Sequence, residues 1–187
     1  MTQFPDPLHD LTATAVQALT LYCLAEFQSG HASTIRVTAE GASFSVSDNG
    51  RGHPIDKTVE GTAYLRFIYT HFDYPFESGR DAPIQLQGIG MSLVNALCSE
   101  LQLTVKKPDA ELRLLFNHGQ LTQTTRTAGV FEETGITVSA KIAPHLCGKS
   151  VDQERLEAWL VGVLATAPSL SLFFNGRRLQ PPSQRAG

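Results

Sequence analysis

From residue 8 to residue 28 the chain carries neither proline nor glycine, and apolar side chains recur at Leu8, Leu11, Ala15, Ala18 and Tyr22. A three-or-four spacing predicts an amphipathic helix over 8–28. Ser29, Gly30 and His31 end it, with the glycine in the usual stop position. The period then changes to two. Ile35, Val37, Phe44 and Val46 alternate with polar residues on either side of a turn at Glu40, Gly41 and Ala42. That pattern predicts a hairpin of 34–38 and 43–47 with those four side chains buried together.

Further along, Val59, Ala63, Phe67 and Ile68 predict a second helix over 58–72. Residues 73–84 form a polar loop with proline and glycine, long enough to serve as a lid. A third helix is expected over 89–98, starting at the glycines of 88–90. Strand-like runs follow at 101–105, 111–116, 120–125 and 135–142. Turns at Lys106-Lys107-Pro108-Asp109 and Asn117-His118-Gly119 separate the first three. Leu156, Trp159, Leu160 and Val163 place a last helix over 151–167. A short strand, 170–174, then turns at Asn175-Gly176 into Arg177, Arg178 and Leu179.

Helix, hairpin, helix, lid, helix and several adjacent strands predict an α/β (α+β) two-layer sandwich. Its sheet is mixed but mostly antiparallel, with helices on one face. The expected division is an N-terminal extension at 1–7, one domain at 8–179 and a disordered tail at 180–187.

Composition narrows the function. Of the 187 residues 42% are apolar and 18% charged, which is the balance of an ordinary folded domain. A net charge of -3 gives no general attraction to nucleic acid, so no direct DNA binding is expected. Cys23, Cys98 and Cys147 are too few and too scattered for a disulfide framework or a zinc site, and read as small core residues in a reducing compartment. The six histidines are not spaced as ligands, so no metal site is expected from them. The N-terminus lacks a signal-peptide pattern and no apolar run approaches the ~20 residues that span a bilayer. A cytoplasmic protein is the expectation.

Two glycine stretches carry the chemistry. Asp48 stands at the end of the second hairpin strand, followed by Gly50, Arg51, Gly52 and Pro54. An ionised carboxylate there can accept from the exocyclic amine of adenine, and glycines let backbone approach a flat base. Gly88, Ile89 and Gly90 precede a helix, where free N–H groups favour phosphate.

Taken in this order, with a lid-length loop between, the two stretches resemble the N-terminal ATP-binding domain of DNA gyrase B and topoisomerase IV B subunits. That domain belongs to the GHKL (Bergerat) fold shared with Hsp90, histidine kinases and MutL. The resemblance rests on Gly30-His31, Ile35-x-Val37-Thr38, Asp48-x-Gly50-Arg51-Gly52-x-Pro54, Leu86-x-Gly88-x-Gly90-x-Ser92-x-Val94-Asn95-Ala96-Leu97, Asn117-His118-Gly119 and Glu133-Thr134-Gly135. It covers roughly residues 8–179.

The resemblance implies ATP or ADP as ligand. Asp48 would bind the adenine amine directly and through water, and Arg51, Gly52 and Pro54 would line the base pocket. Arg51 and Pro54 would also flank the site that aminocoumarin inhibitors use in the family. Gly88, Ile89 and Gly90 would wrap the phosphates. Thr134 belongs to the same pocket, and Lys107 sits where the family keeps an arginine at its mouth.

The resemblance fails on the first helix. Aligned through Gly30 and His31, the family's general-base glutamate falls on Ala18 and its magnesium-binding asparagine on Tyr22. Only Glu26 survives from that motif. Alanine accepts no proton and a phenol is a poor magnesium ligand. Losing a general base costs ~10²–10⁴ in rate. Ile136 also replaces a threonine whose hydroxyl helps the aspartate hold water. The sequence therefore reads as a truncated gyrase-B-like ATPase domain that binds nucleotide weakly and alone hydrolyses little or nothing, with magnesium doubtful as its cofactor. Whether it is an enzyme is left open. The alternative is a non-catalytic interaction module on a decayed ATPase fold, pairing with itself or with another gyrase chain. In that case Tyr22, one turn from Ala18, would fill the vacated space.

Overall fold

The structure, a computed structural model, describes residues 10–59, 61–71, 90–147 and 150–181. The expected extension at 1–7, the lid at 73–84, Gly88 and Ile89, and the tail from residue 182 lie outside the described residues.

The first helix, α1 (Leu11–Gln28), starts where Asp10 caps it. The Asp10 carboxylate accepts from the Ala13 N–H at 2.8 Å. Its burial is broader than one stripe, since Thr12, Val16, Leu19, Thr20, Cys23 and Leu24 are buried as well as Ala15 and Ala18. The Thr20 hydroxyl reaches the core only by donating to the Val16 carbonyl at 2.8 Å.

The hairpin follows as β1 (Thr34–Glu40) and β2 (Ser43–Asp48), with Ile35, Val37, Phe44 and Val46 buried as the alternation required.

Residues 58–72 correct the expectation of one helix. A tiny hairpin, β3 (Thr58–Val59) and β4 (Thr62–Ala63), comes first, and α2 (Tyr64–Thr70) starts only after Ala63. Gly61 turns the hairpin with φ +77°, a backbone conformation no helix contains, and β-branched Thr58, Val59 and Thr62 suit the strands. The third helix, α3 (Met91–Leu97), is also shorter than expected. Cys98, expected as its end, opens the next strand instead.

That strand, β5 (Cys98–Lys106), is followed by β6 (Ala110–Asn117), β7 (Gln120–Ala128) and β8 (Gly135–Ile142). The chain closes with α4 (Gln153–Thr166), β9 (Ser171–Phe174) and β10 (Arg177–Arg178). Eight strands form one sheet in the order β10-β9-β1-β2-β8-β5-β6-β7. Only β1 and β9 run parallel, so the sheet is mixed and mostly antiparallel.

The register explains the core. Phe174, Val37, Val46, Val138, Leu103 and Leu114 are successive partners across six strands, and all are buried. Side chains directly opposite one another share a face, so this row is one continuous apolar ridge. Each such side chain contributes roughly 1.5–3 kcal/mol by leaving water. The α1 helix packs against β1, β2 and β8, at the centre of that ridge. Partners on the other face, such as Ser45 and Ser139, are polar and hydrogen-bonded to each other at 3.0 Å.

Candidate adenine-nucleotide site

The site gathers where the end of β2, the loop after it and the start of β8 meet α1. Asp48 is the last residue of β2, and its Oδ1 accepts from the Gly50 N–H at 2.8 Å. Burial pushes the Asp48 carboxyl above its usual range. The Gly50 and Ile136 N–H groups and the Cys23 thiol pull it back, and the charge of Glu26 pushes it up. Asn49 anchors the strand end by accepting from the N–H groups of Ser33 and Thr34, both at 2.9 Å. Asn49 is therefore a structural clamp.

Two glycines in this corner are demanded by contact. Gly52 has φ +68°, and a Cβ there would lie 2.9 Å from the Lys106 carbonyl oxygen. Gly135 has φ +128°, and a Cβ there would collide with the Asp48 carbonyl oxygen. The opening of β8 thus passes directly over the backbone of Asp48.

Arg51 turns back on α1. Its Nε and Nη2 donate to the two oxygens of Glu26 at 2.9 and 3.1 Å, and its backbone N–H donates to Glu26 Oε1 at 3.0 Å. The guanidinium holds the Glu26 carboxyl below its usual range. Lys107 Nζ donates to the Arg51 carbonyl at 2.9 Å, and the Thr134 hydroxyl donates to the Gly50 carbonyl at 2.7 Å. The loop 49–54 is thereby tied to α1, to the β5–β6 turn and to the approach to β8. Pro54 is exposed on its outer side. Gly90 caps α3, and among the described residues a Cβ there would meet only Ser92 Oγ, at 3.8 Å.

Of the degenerate positions, Ala18 and Ile136 are both 4% exposed and belong to the core. Tyr22 is half-buried. Its hydroxyl lies 2.9 Å from Nδ1 and 3.2 Å from Nε2 of His53, with ring centroids 5.3 Å apart. His53 is buried, and burial lowers its pKa to about 4, so its imidazole is neutral. Burial also pushes the Tyr22 phenol well above its usual range. The phenol therefore keeps its proton, and its hydroxyl is hydrogen-bonded to the neutral ring.

His53 and Cys23 are the site residues that sequence reasoning missed. His53 is one of six scattered histidines with no ligand spacing, and its partner is 31 positions away. The available signal is a titratable ring inside the glycine loop, together with a tyrosine on the helix assigned to the same pocket.

Magnesium needs hard oxygen ligands in octahedral array. Among the described residues no group of three or more His, Cys, Asp or Glu side chains could hold a metal ion. At the position aligned with the metal-binding asparagine stands a protonated phenol paired with a neutral imidazole. Tyr22 and His53 themselves offer magnesium no carboxylate or carbonyl oxygen.

Comparison with known proteins defines the class first. Over 90% of its length the chain superposes on the ATPase domain of Thermus thermophilus gyrase B, solved in complex with an aminocoumarin, with TM-score 0.73 and 25% identity, covering 45% of that chain. It has the same fold as the topoisomerase IV ATP-binding domain of Francisella tularensis, solved with a small-molecule inhibitor. There the TM-score is 0.71 at 21% identity, over 91% of this chain and 86% of that one. Residues 8–142 match the family described as histidine kinase-, DNA gyrase B- and HSP90-like ATPase, and the chain belongs to that family.

Within it the chain is homologous to the N-terminal ATPase domain of gyrase B and topoisomerase IV B subunits. It is 33% identical over 161 residues to the gyrase B protein of Thermus thermophilus, spanning 82% of this chain and 25% of that protein. It is 32% identical over 161 residues to the topoisomerase IV B protein of Mycoplasma pneumoniae, spanning 81% of this chain and 25% of that protein. The chain spans about a quarter of the length of the curated relatives it matches.

Proposed function

We propose that residues 8–179 form a gyrase-B-type domain that binds ADP or ATP weakly and hydrolyses little or none of it. The observation that carries this reading is Asp48, a carboxylate fixed at a strand end by the Gly50 N–H beneath a glycine that must be glycine. That arrangement suits the amine edge of adenine, with Arg51, Gly52, Pro54, Thr134, Lys107 and the 88–90 stretch completing the pocket. Weak binding follows from Ile136, which lacks the hydroxyl that the resemblance assigns to holding water beside Asp48, and from Lys107 at the pocket mouth, already engaged by the Arg51 carbonyl. Poor hydrolysis follows from Ala18, which supplies no general base. The domain would act in a reducing compartment, where its three free cysteines persist.

The test is calorimetric titration of ADP on wild type and Asp48→Asn. Binding to wild type with a large loss in the variant supports the reading. Equal binding by both removes Asp48 from the pocket and overturns it.

A second reading is favoured by the Tyr22–His53 contact. A polar pair closing the pocket suits a domain that serves as an interaction module, pairing with a second copy or with another gyrase chain. Analytical ultracentrifugation with and without that partner distinguishes it.

A further inference from the structure

We infer that Tyr22 and His53 make nucleotide binding at this site independent of magnesium, so that its ligand is the free adenine nucleotide or nucleoside rather than the metal complex. The inference rests on the nucleotide reading above and sharpens the class of ligand.

The argument starts from the pair itself. Tyr22 comes from the fourth turn of α1, and His53 from the loop that follows Asp48. Their polar atoms meet at 2.9 Å, so each satisfies the other. A buried imidazole left without a partner is costly, which locks the Tyr22 hydroxyl against His53. For a metal to enter, the phenol must swing away and leave His53 unpaired. The pair also presents one shared proton and no carboxylate or carbonyl oxygen, so it offers magnesium nothing that could replace its waters.

Among the described residues, the neighbours do not supply what the pair lacks. Glu26 is held by three hydrogen bonds from Arg51, and one Asp48 oxygen accepts from Gly50. Neighbouring Ala18 is buried and has no ligand atom. Two side chains from distant segments close on each other at the position where the resemblance would put the metal ligand.

The experiment is calorimetric titration of ADP in EDTA and in excess magnesium. Three proteins are compared: wild type, Tyr22→Asn, and the double variant Tyr22→Asn with His53→Leu, which removes the imidazole together with its partner and so stays folded. For wild type the two affinities should agree within about threefold, a difference under 1 kcal/mol. In the variants magnesium should tighten ADP by about tenfold or more, as the asparagine carbonyl becomes available. Wild-type binding that requires magnesium overturns the inference and leaves the nucleotide reading intact. Variants whose binding still ignores magnesium overturn the assignment to this pair. Wild type that melts cooperatively yet binds no ADP in either buffer overturns the nucleotide reading, and the inference with it.

Discussion

The hydroxyl of Tyr22 lies 2.9 Å from Nδ1 of His53, joining the first helix to the glycine loop that follows β2. It is a partly buried polar link between the two elements, where the Arg51 side chain of the neighbouring Glu26–Arg51 pair is mostly exposed. Tyr22→Phe keeps the ring and removes the bond. With His53 buried and left without its partner, the expected cost is about 1–3 kcal/mol. Urea denaturation reads it as a lowered midpoint at unchanged slope. A change below about 0.5 kcal/mol would show that the imidazole finds another partner.

His53 also predicts how stability depends on pH. Its folded pKa is about 4, below the ordinary 6.5, so between those values the unfolded chain binds the proton more readily. Stability is therefore complete above about pH 6.5 and is lost as pH falls toward 4, by a total on the order of 3 kcal/mol. Glu26, whose pKa is lowered, acts in the same direction at the acid end. Asp48, whose pKa is raised, acts in the opposite direction and flattens the fall. Melting temperatures from pH 7.5 to 4.5 should drop in wild type and drop less in His53→Leu. Equal slopes would remove His53 as the cause.

Gly135→Ala should be among the most damaging single-methyl changes in the chain. The added carbon would collide with the Asp48 carbonyl oxygen, at a φ of +128° that favours glycine alone. Neither backbone can move without breaking the pairing of β8 with β2 or β5. The expected loss is about 3 kcal/mol or more, with failure to fold as the extreme outcome. Soluble expression and thermal melting report it, and a Tm matching that of wild type would contradict the contact.

Glu26→Gln tests the opposite extreme. The ion pair with Arg51 has three hydrogen bonds, but the Arg51 side chain is 55% exposed. Solvent screening limits its worth to about 1 kcal/mol or less. The difference between variant and wild type should shrink as salt is raised. A salt-independent loss would mean that the loop depends on Glu26 for more than charge.

Hydrolysis should be absent. Phosphate release from ATP by wild type is expected at background, since Ala18 can take no proton from water. Ala18→Glu should not restore it. The site is 4% exposed and enclosed by core, so a carboxylate there should lower stability and be driven toward its neutral form. Turnover above background in wild type would show that a group other than residue 18 serves as the base.

The legible parts of the fold are the strongly periodic ones. Alternation in Ile35, Val37, Phe44 and Val46 forces those side chains to one face, and the β1–β2 hairpin follows. Asn175-Gly176 turns the last hairpin because both residues accept positive φ, 46° and 81°. Residues 58–63 read as helix because Val59 and Ala63 match a helical spacing as well as a hairpin, and Gly61 decides for the hairpin. In the site, the departures at Ala18 and Tyr22 are legible because a motif needs particular atoms at particular positions. What those positions have become is not, since His53 gives no local sign of its partner.

The sequence by itself determined the elements with one clear period, the glycine turns and the absence of a proton acceptor at residue 18, on the first helix. These are local properties, set by side-chain chemistry and backbone sterics within a few residues. Only the tertiary structure decided that Gly135 crosses Asp48, that Arg51 folds onto Glu26 and that Tyr22 closes on His53. Those contacts join residues separated by 25 to 87 positions along the chain. They exist because the β2–β8 pairing and the packing of α1 on the sheet bring distant segments within a few ångströms, which no local pattern encodes.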